Sequence, residues 1–153
     1  LDNLLKEEID LFDSRDNIRF SYMGLDNATV MGPKPQLTRV FVNLINNAVQ
    51  AIENAQTEAE EKGLEPFTGR IVVSLRLSSK DGFYDIVFED NGPGVSEENR
   101  SKLFTPNFTT KSNGTGLGLS ICRNILEKCN GEIFYSKSFS LKGACFTVRF
   151  PRR

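Results

Sequence analysis

The chain has 153 residues, 39% apolar and 25% charged, with 19 basic side chains against 20 acidic ones and a net charge of −1. This fits one globular domain with a real core, and it excludes a disordered tail and a broad basic surface for nucleic acid; no run reads as a membrane span or a secretory leader. Histidine is absent, which rules out a Ser-His-Asp hydrolase, a histidine-ligated metal site and an internal phosphohistidine.

In chain order, Leu1, Leu4, Leu5, Ile9 and Phe12 fall on one stripe of a helix, with Lys6, Glu7 and Asp10 on the wet side. An apolar face ready at residue 1 reads as the end of something longer, with an ordinary packing helix as the alternative. Ile18, Phe20 and Tyr22 alternate like a half-buried strand, and residues 28–31 offer a short second one. Gly32-Pro33-Lys34-Pro35 then breaks the chain and sets Pro35 at the first turn of a helix. That helix, about residues 35–55, carries the clearest pattern present. Leu37, Val40, Phe41, Leu44, Ile45, Ala48, Val49 and Ile52 keep helical spacing and must bury one face. Asn43, Asn47, Gln50 and Asn54 form a second stripe. Asparagine is a mediocre helix former, and solvated faces usually draw on Glu and Lys, so the row favours a site over a merely wet face. Carboxamide oxygens one turn apart suit a hard cation such as Mg²⁺, with room left for phosphate and water.

Residues 56–68 are polar and acidic and read as a frayed helix end and a surface loop. Residues 70–78 and 83–89 read as strands joined at Ser79-Lys80-Asp81-Gly82. The second strand runs into Asp90-Asn91-Gly92-Pro93-Gly94. This puts a carboxylate on a rigid support beside a backbone open to a flat ligand; an Asx turn without ligand is the alternative. Ser96 can cap a short helix that ends at Leu103 and Phe104. Residues 105–113 lack core periodicity and bring Lys111 near the next glycines, which reads as a mobile lid with a phosphate-reaching lysine or as a plain surface loop.

Gly114-Thr115-Gly116-Leu117-Gly118-Leu119 opens the next helix. Glycines at alternate positions let the backbone approach a ligand closely, and the first N–H groups of the helix suit a polyphosphate. The helix buries Leu119, Cys122, Ile125, Leu126 and Cys129 and stops at Asn130-Gly131. With Cys145 the cysteines are odd in number and too few for a disulfide framework, so reduced core residues and a cytoplasmic compartment are expected. Strands at 132–137 and 144–150 close the chain, with Ala144, Phe146, Val148 and Phe150 on one face and Thr147 on the other.

These stations resemble, in order and spacing, the motifs of the ATP-binding domain of sensor histidine kinases, within the superfamily shared with DNA gyrase, the ninety-kilodalton heat-shock chaperone and MutL. Asn43-Leu44-Ile45-Asn46-Asn47-Ala48 is similar to the N box, and Asp90-Asn91-Gly92-Pro93-Gly94 to the G1 box. Phe104-Thr105-Pro106-Asn107-Phe108 resembles the F box and residues 114–119 the G2 box. The ending from Gly143 to Pro151 is similar to the last strand of that family. The resemblance implies an α/β (α+β) two-layer sandwich, the Bergerat ATP-binding fold, with a mixed, mostly antiparallel sheet and helices packed on one face. It also implies a catalytic ATP-binding domain over residues 16–153, with residues 1–15 as the end of a linker helix from an absent dimerisation and phosphoacceptor domain.

Residue by residue, the resemblance implies that Asp90 accepts from the adenine amino group while Gly92 and Gly94 let the base approach. Asn47 is the implied Mg²⁺ ligand, with Asn43 and Gln50 beside the phosphates. Gly114, Thr115, Gly116, Leu117, Gly118 and Leu119 supply hinge and backbone donors to the triphosphate. Phe108 belongs to the F box, Lys111 is a charge partner for the terminal phosphate, and Thr147 backs Asp90 through water.

Position 43 separates the branches of the superfamily: hydrolytic members carry a glutamate there to orient water. Asn43 cannot act as a general base at neutral pH, so ATP is expected to be held until another nucleophile arrives. Gln50 departs from the Lys or Arg of many such kinases and weakens phosphate attraction. With no histidine in the chain, the resemblance implies that the acceptor lies on a helical hairpin outside it. The implied activity is an ATP-dependent protein-histidine kinase using Mg²⁺. Its implied partners are ATP and ADP, the dimerisation phosphotransfer domain of the same parent and, indirectly, a response regulator. No nucleic-acid partner or membrane contact is expected of the domain, and an inner-membrane anchor on the parent stays open. Two other readings also stay open: an ATPase or anti-sigma serine kinase of the superfamily, and a degenerate regulatory module.

Overall fold

The long apolar stripe of the asparagine-bearing helix sets the architecture. The computed structural model describes residues 1–12, 17–25, 28, 32–100, 102–104 and 118–152. Helix α1 spans Asp2–Phe12, strand β1 Ile18–Met23 and helix α2 Lys34–Glu61. Strands β2 (Gly69–Leu77) and β3 (Phe83–Asp90), helix α3 (Glu97–Arg100), helix α4 (Gly118–Lys128) and strands β4 (Glu132–Lys137) and β5 (Ala144–Pro151) follow. Five strands form one sheet in the order β1-β2-β3-β5-β4. β1 pairs parallel with β2, and the other pairings are antiparallel. A parallel neighbour demands a crossover, which α2 supplies.

All eight apolar positions read from the α2 stripe are buried, and Phe41 stacks on Phe88 of β3 with ring centroids 6.2 Å apart. Alternation in the strands sends Ile71, Val73, Leu75, Ile86, Phe88, Phe146, Val148 and Phe150 into that same core. Each such side chain, fully buried, stabilises by about 1.5–3 kcal/mol before entropy is counted. The opposite sheet face is polar: Asp85 of β3 stands across from Arg149 of β5, and their side chains make a two-pronged ion pair at 2.8 and 3.2 Å. A mixed, mostly antiparallel sheet with its helices on one face is the architecture expected.

One local expectation changes. α2 does not fray after residue 55 but continues to Glu61, burying Ala59. Gln56 anchors this stretch: its Nε2 donates to the carbonyls of Asn17 (3.0 Å) and Phe67 (3.1 Å) while its Oε1 accepts from Asn17 Nδ2 (2.9 Å). The short second strand expected at residues 28–31 lies largely outside the described residues; Ala28 itself is buried. α4 ends as its sequence suggests. Asn130 takes φ 58°, and the N–H groups of Gly131 and Asn130 return to the carbonyls of Leu126 (2.7 Å) and Glu127 (3.2 Å).

Candidate functional site

The site grows from the point where β3 stops. Asp90 is its last residue, on the helix-facing side with Ile86 and Phe88, and only 4% exposed. A buried carboxylate needs donors, and Oδ1 accepts the N–H of Gly92 at 2.9 Å and of Ala144 at 3.3 Å. Asn91 carries the sheet pairing one residue further with its side chain. Its Oδ1 accepts the N–H of Arg70 at 2.7 Å, and its Nδ2 donates to the Thr68 carbonyl at 3.0 Å. The turn is thus pinned to β2 on one side and β5 on the other. Gly94 has φ +75°, a conformation that suits glycine, and the next N–H, of Val95, donates to Tyr135 Oη at 2.9 Å.

Helix α2 forms the second wall. Gly92 lies against it: a Cβ there would stand 3.5 Å from that of Ala51. Asn43, Asn47 and Gln50 are all half-buried on this helix, whereas Asn54 is exposed. The Nδ2 of Asn43 donates to Cys122 Sγ at 3.7 Å, which ties α2 to the first turns of α4. Burial pushes the Cys122 thiol up to about 11, the Asn43 hydrogen bond offsetting part of the shift. It is a packed, neutral thiol rather than a nucleophile. Gly118 and Leu119 open α4, both half-buried. Apart from its chain neighbours and the backbone of its own helix, no described atom lies within 4 Å of where a Cβ on Gly118 would stand. Phe104 of the F box is set edge-on to Phe146, centroids 6.5 Å apart.

Of the site residues read from the sequence, Asn43, Asn47, Gln50, Asp90, Gly92, Gly94, Gly118 and Leu119 are described at these positions. Phe108, Lys111, Gly114, Thr115, Gly116 and Leu117 lie outside the described residues. Thr147 is a correction. It pairs with Val87 and Phe134 on the polar face of the sheet, whereas Asp90 looks to the helix face, so its hydroxyl cannot back that carboxylate. The backing group is the N–H of Ala144, three residues earlier in β5. Sequence reading missed Ala144, Tyr135 and Gly143. A Cβ on Gly143 would stand 2.2 Å from the Asp90 carbonyl oxygen and 2.7 Å from its Oδ1, so only glycine fits there. Its position just before the last strand was the available signal.

With this geometry in place, comparison with known proteins decides the family. The model of the histidine kinase-, DNA gyrase B- and HSP90-like ATPase family matches residues 32–153. The chain belongs to this family. The sensor histidine kinase ZraS of Salmonella typhimurium is 38% identical over 119 residues, which is 76% of this chain and 22% of that protein. Sporulation kinase E of Bacillus subtilis is 31% identical over 154 residues, 98% of this chain and 19% of that protein. The chain therefore spans about a fifth of the length of the curated relatives it matches. Among solved structures, the catalytic domain of histidine kinase ThkA superposes with a TM-score of 0.79 at 29% identity, covering 99% of this chain and 92% of that one. The family read from the motifs and the fold it implied are both borne out. This ATPase-family domain has the fold of a histidine kinase catalytic domain. Among its described residues no helix is long and apolar enough to cross a membrane.

Proposed function

We propose that the domain binds Mg²⁺-ATP and donates the γ-phosphate to a histidine on a separate dimerisation domain, as the catalytic domain of a two-component sensor histidine kinase. The single observation that carries this is Asn43: a half-buried carboxamide engaged with Cys122 stands where hydrolytic relatives would need a general base. In this reading Asp90, oriented by the N–H groups of Gly92 and Ala144, accepts from the adenine amino group. The α4 start, with Gly118 and Leu119, presents backbone N–H groups to the phosphates. Carboxamide oxygens suit a hard cation, so Asn47 is the residue that would hold Mg²⁺, with Asn43 and Gln50 beside the phosphates. The ion, when bound, supplies charge neutralisation on the phosphate oxygens. The chain's own residues hold and orient ATP, and the nucleophile comes from outside.

Residues 1–15 then join the phosphoacceptor domain and residues 16–153 form the catalytic domain. A response regulator is the indirect partner, a reading supported by the histidine kinase ThkA, whose structure has been solved in complex with the response regulator protein TrrA. The expected compartment of the domain is the cytoplasm. Incubation with labelled ATP tests the reading. Label should pass to a separately supplied dimerisation hairpin of the same parent, while the chain alone neither labels itself nor releases phosphate at an appreciable rate. Fast phosphate release with no hairpin present favours the ATPase alternative.

A further inference from the structure

Glu89 and Asp90 are consecutive in β3, so their side chains leave opposite faces of the sheet, yet both hold the same hairpin. On the polar face, Glu89 Oε2 accepts from Ser138 Oγ at 2.6 Å and from Ser140 Oγ at 3.1 Å. On the helix face, Asp90 Oδ1 accepts the N–H of Ala144. Residues 138–143 between these grips form the β4–β5 turn, which closes on Ser138. Ser138 Oγ accepts the N–H of Leu141 at 3.1 Å, its carbonyl accepts the N–H of Lys142 at 2.8 Å, and its own N–H donates to the Gly143 carbonyl at 2.8 Å. Ser138 is 2% exposed, so its hydroxyl has no easy recourse to water if Glu89 is lost. Gly143 is the point of contact with Asp90, fitted so closely that a Cβ would overlap the Asp90 carbonyl and carboxylate.

We infer that Glu89 is a positioning residue for base recognition: through Ser138 and Ser140 it seats the β4–β5 turn, and the turn sets the orientation of the Asp90 carboxylate. The inference rests on the adenine-reading role proposed for Asp90. The Ala144 N–H reaches Asp90 at 3.3 Å, the long end of a hydrogen bond, so a small shift of the turn breaks it. Glu89 lies across the sheet from the site and acts on the base only through the turn. Its loss therefore weakens recognition of the base and leaves recognition of the phosphates intact.

Calorimetric titration of the 153-residue chain with ATP and with GTP, in the presence of Mg²⁺, tests this, alongside thermal unfolding without nucleotide. Glu89→Ala and Ser138→Ala should each weaken ATP binding about fivefold while leaving GTP binding within twofold, which lowers base discrimination. Glu89→Gln, which keeps an oxygen acceptor for the serine hydroxyls, should restore most of the discrimination. Combining Glu89→Ala with Ser138→Ala should cost less than the sum of the two changes, since the Ser138–Glu89 hydrogen bond is lost in both. A lower melting temperature with an unchanged ATP-to-GTP ratio overturns the inference and leaves Glu89 a structural residue. Asp90→Asn is the reference. If it weakens ATP binding and the Glu89 and Ser138 variants do not, only the positioning role fails. If Asp90→Asn itself leaves the ratio unchanged, the adenine reading fails with it. Should Glu89→Ala not fold, Ser138→Ala and Glu89→Gln decide the question in the same way.

Discussion

Asn43 of α2 and Cys122 of α4 meet at 3.7 Å, amide nitrogen to sulfur, and this contact joins the helix that carries the asparagines to the helix that starts at the glycine run. It makes the Cys122 thiol a gauge of that packing. The thiol is wholly buried and its folded value is raised from 9.0 to about 11, chiefly by burial. The unfolded chain releases this proton first. The contribution of the neutral thiol is therefore complete below pH 9 and is lost as pH rises from there through about 11. Urea unfolding of the native chain and of Cys122→Ala at rising pH should show it. The difference between them should shrink above pH 9, by on the order of 1 kcal/mol per pH unit. A difference that stays constant up to pH 11 would show the thiol to be solvated.

The ion pair of Asp85 and Arg149 gives a second prediction. Asp85 is 6% exposed, and the guanidinium also lies 5.0 Å from the centroid of the Phe134 ring. Arg149→Ala leaves a buried carboxylate without its partner and should destabilise by about 3 kcal/mol. Asp85→Asn should cost less, since an amide is cheaper to bury than a charge. Replacing both with apolar residues of similar volume should recover much of the loss. Nucleotide binding should be unmoved in every case, because the pair is on the sheet face away from Asp90. Denaturant midpoints and ATP titrations of the same variants check both halves.

Gln56 is the third. Its three hydrogen bonds join the last turns of α2 to the start of β1 and to the segment before β2. Gln56→Ala should cost about 1 kcal/mol, because most of these bonds are solvent-accessible. Amide exchange should rise selectively over residues 56–61. Unchanged exchange there would mean that helix propensity and Ala59 hold the last turns without it.

These cases mark what the sequence discloses and what it does not. The apolar stripe of α2 and the alternation of β5 are periodic, so burial could be read from spacing alone, and every position so read is buried. The place of Asp90 at the end of β3 was legible because the Asn-Gly-Pro-Gly run that follows it cannot continue a strand. The extension of α2 past residue 55 was not, since the groups that hold Gln56 come from Asn17 and Phe67, distant in sequence. The Thr147 assignment failed for a related reason. Alternation tells which residues of β5 share a face, but the face that Asp90 uses depends on the register of β3 against β5, with Val87 opposite Thr147. The backing donor is a backbone N–H, and a backbone group leaves no residue type to recognise.

The last prediction concerns Asn43 and Asn47, one helical turn apart and both half-buried. If Asn47 holds the metal, Asn47→Ala should lower phosphotransfer to the hairpin by about 100-fold while preserving part of the affinity for ATP, because Asp90 is untouched. Asn43→Glu restores the residue of the hydrolytic branch. A carboxylate there can take a proton from water, so phosphate release without hairpin should rise by about tenfold or more. Asn43→Gln lengthens the side chain equally but remains an amide, and it should leave phosphate release at its basal level. The pair separates charge from size, since both also displace the contact with Cys122. Equal phosphate release from the Glu and Gln variants would show that position 43 does not face the attacking water, and Asn43 would then not distinguish phosphotransfer from hydrolysis.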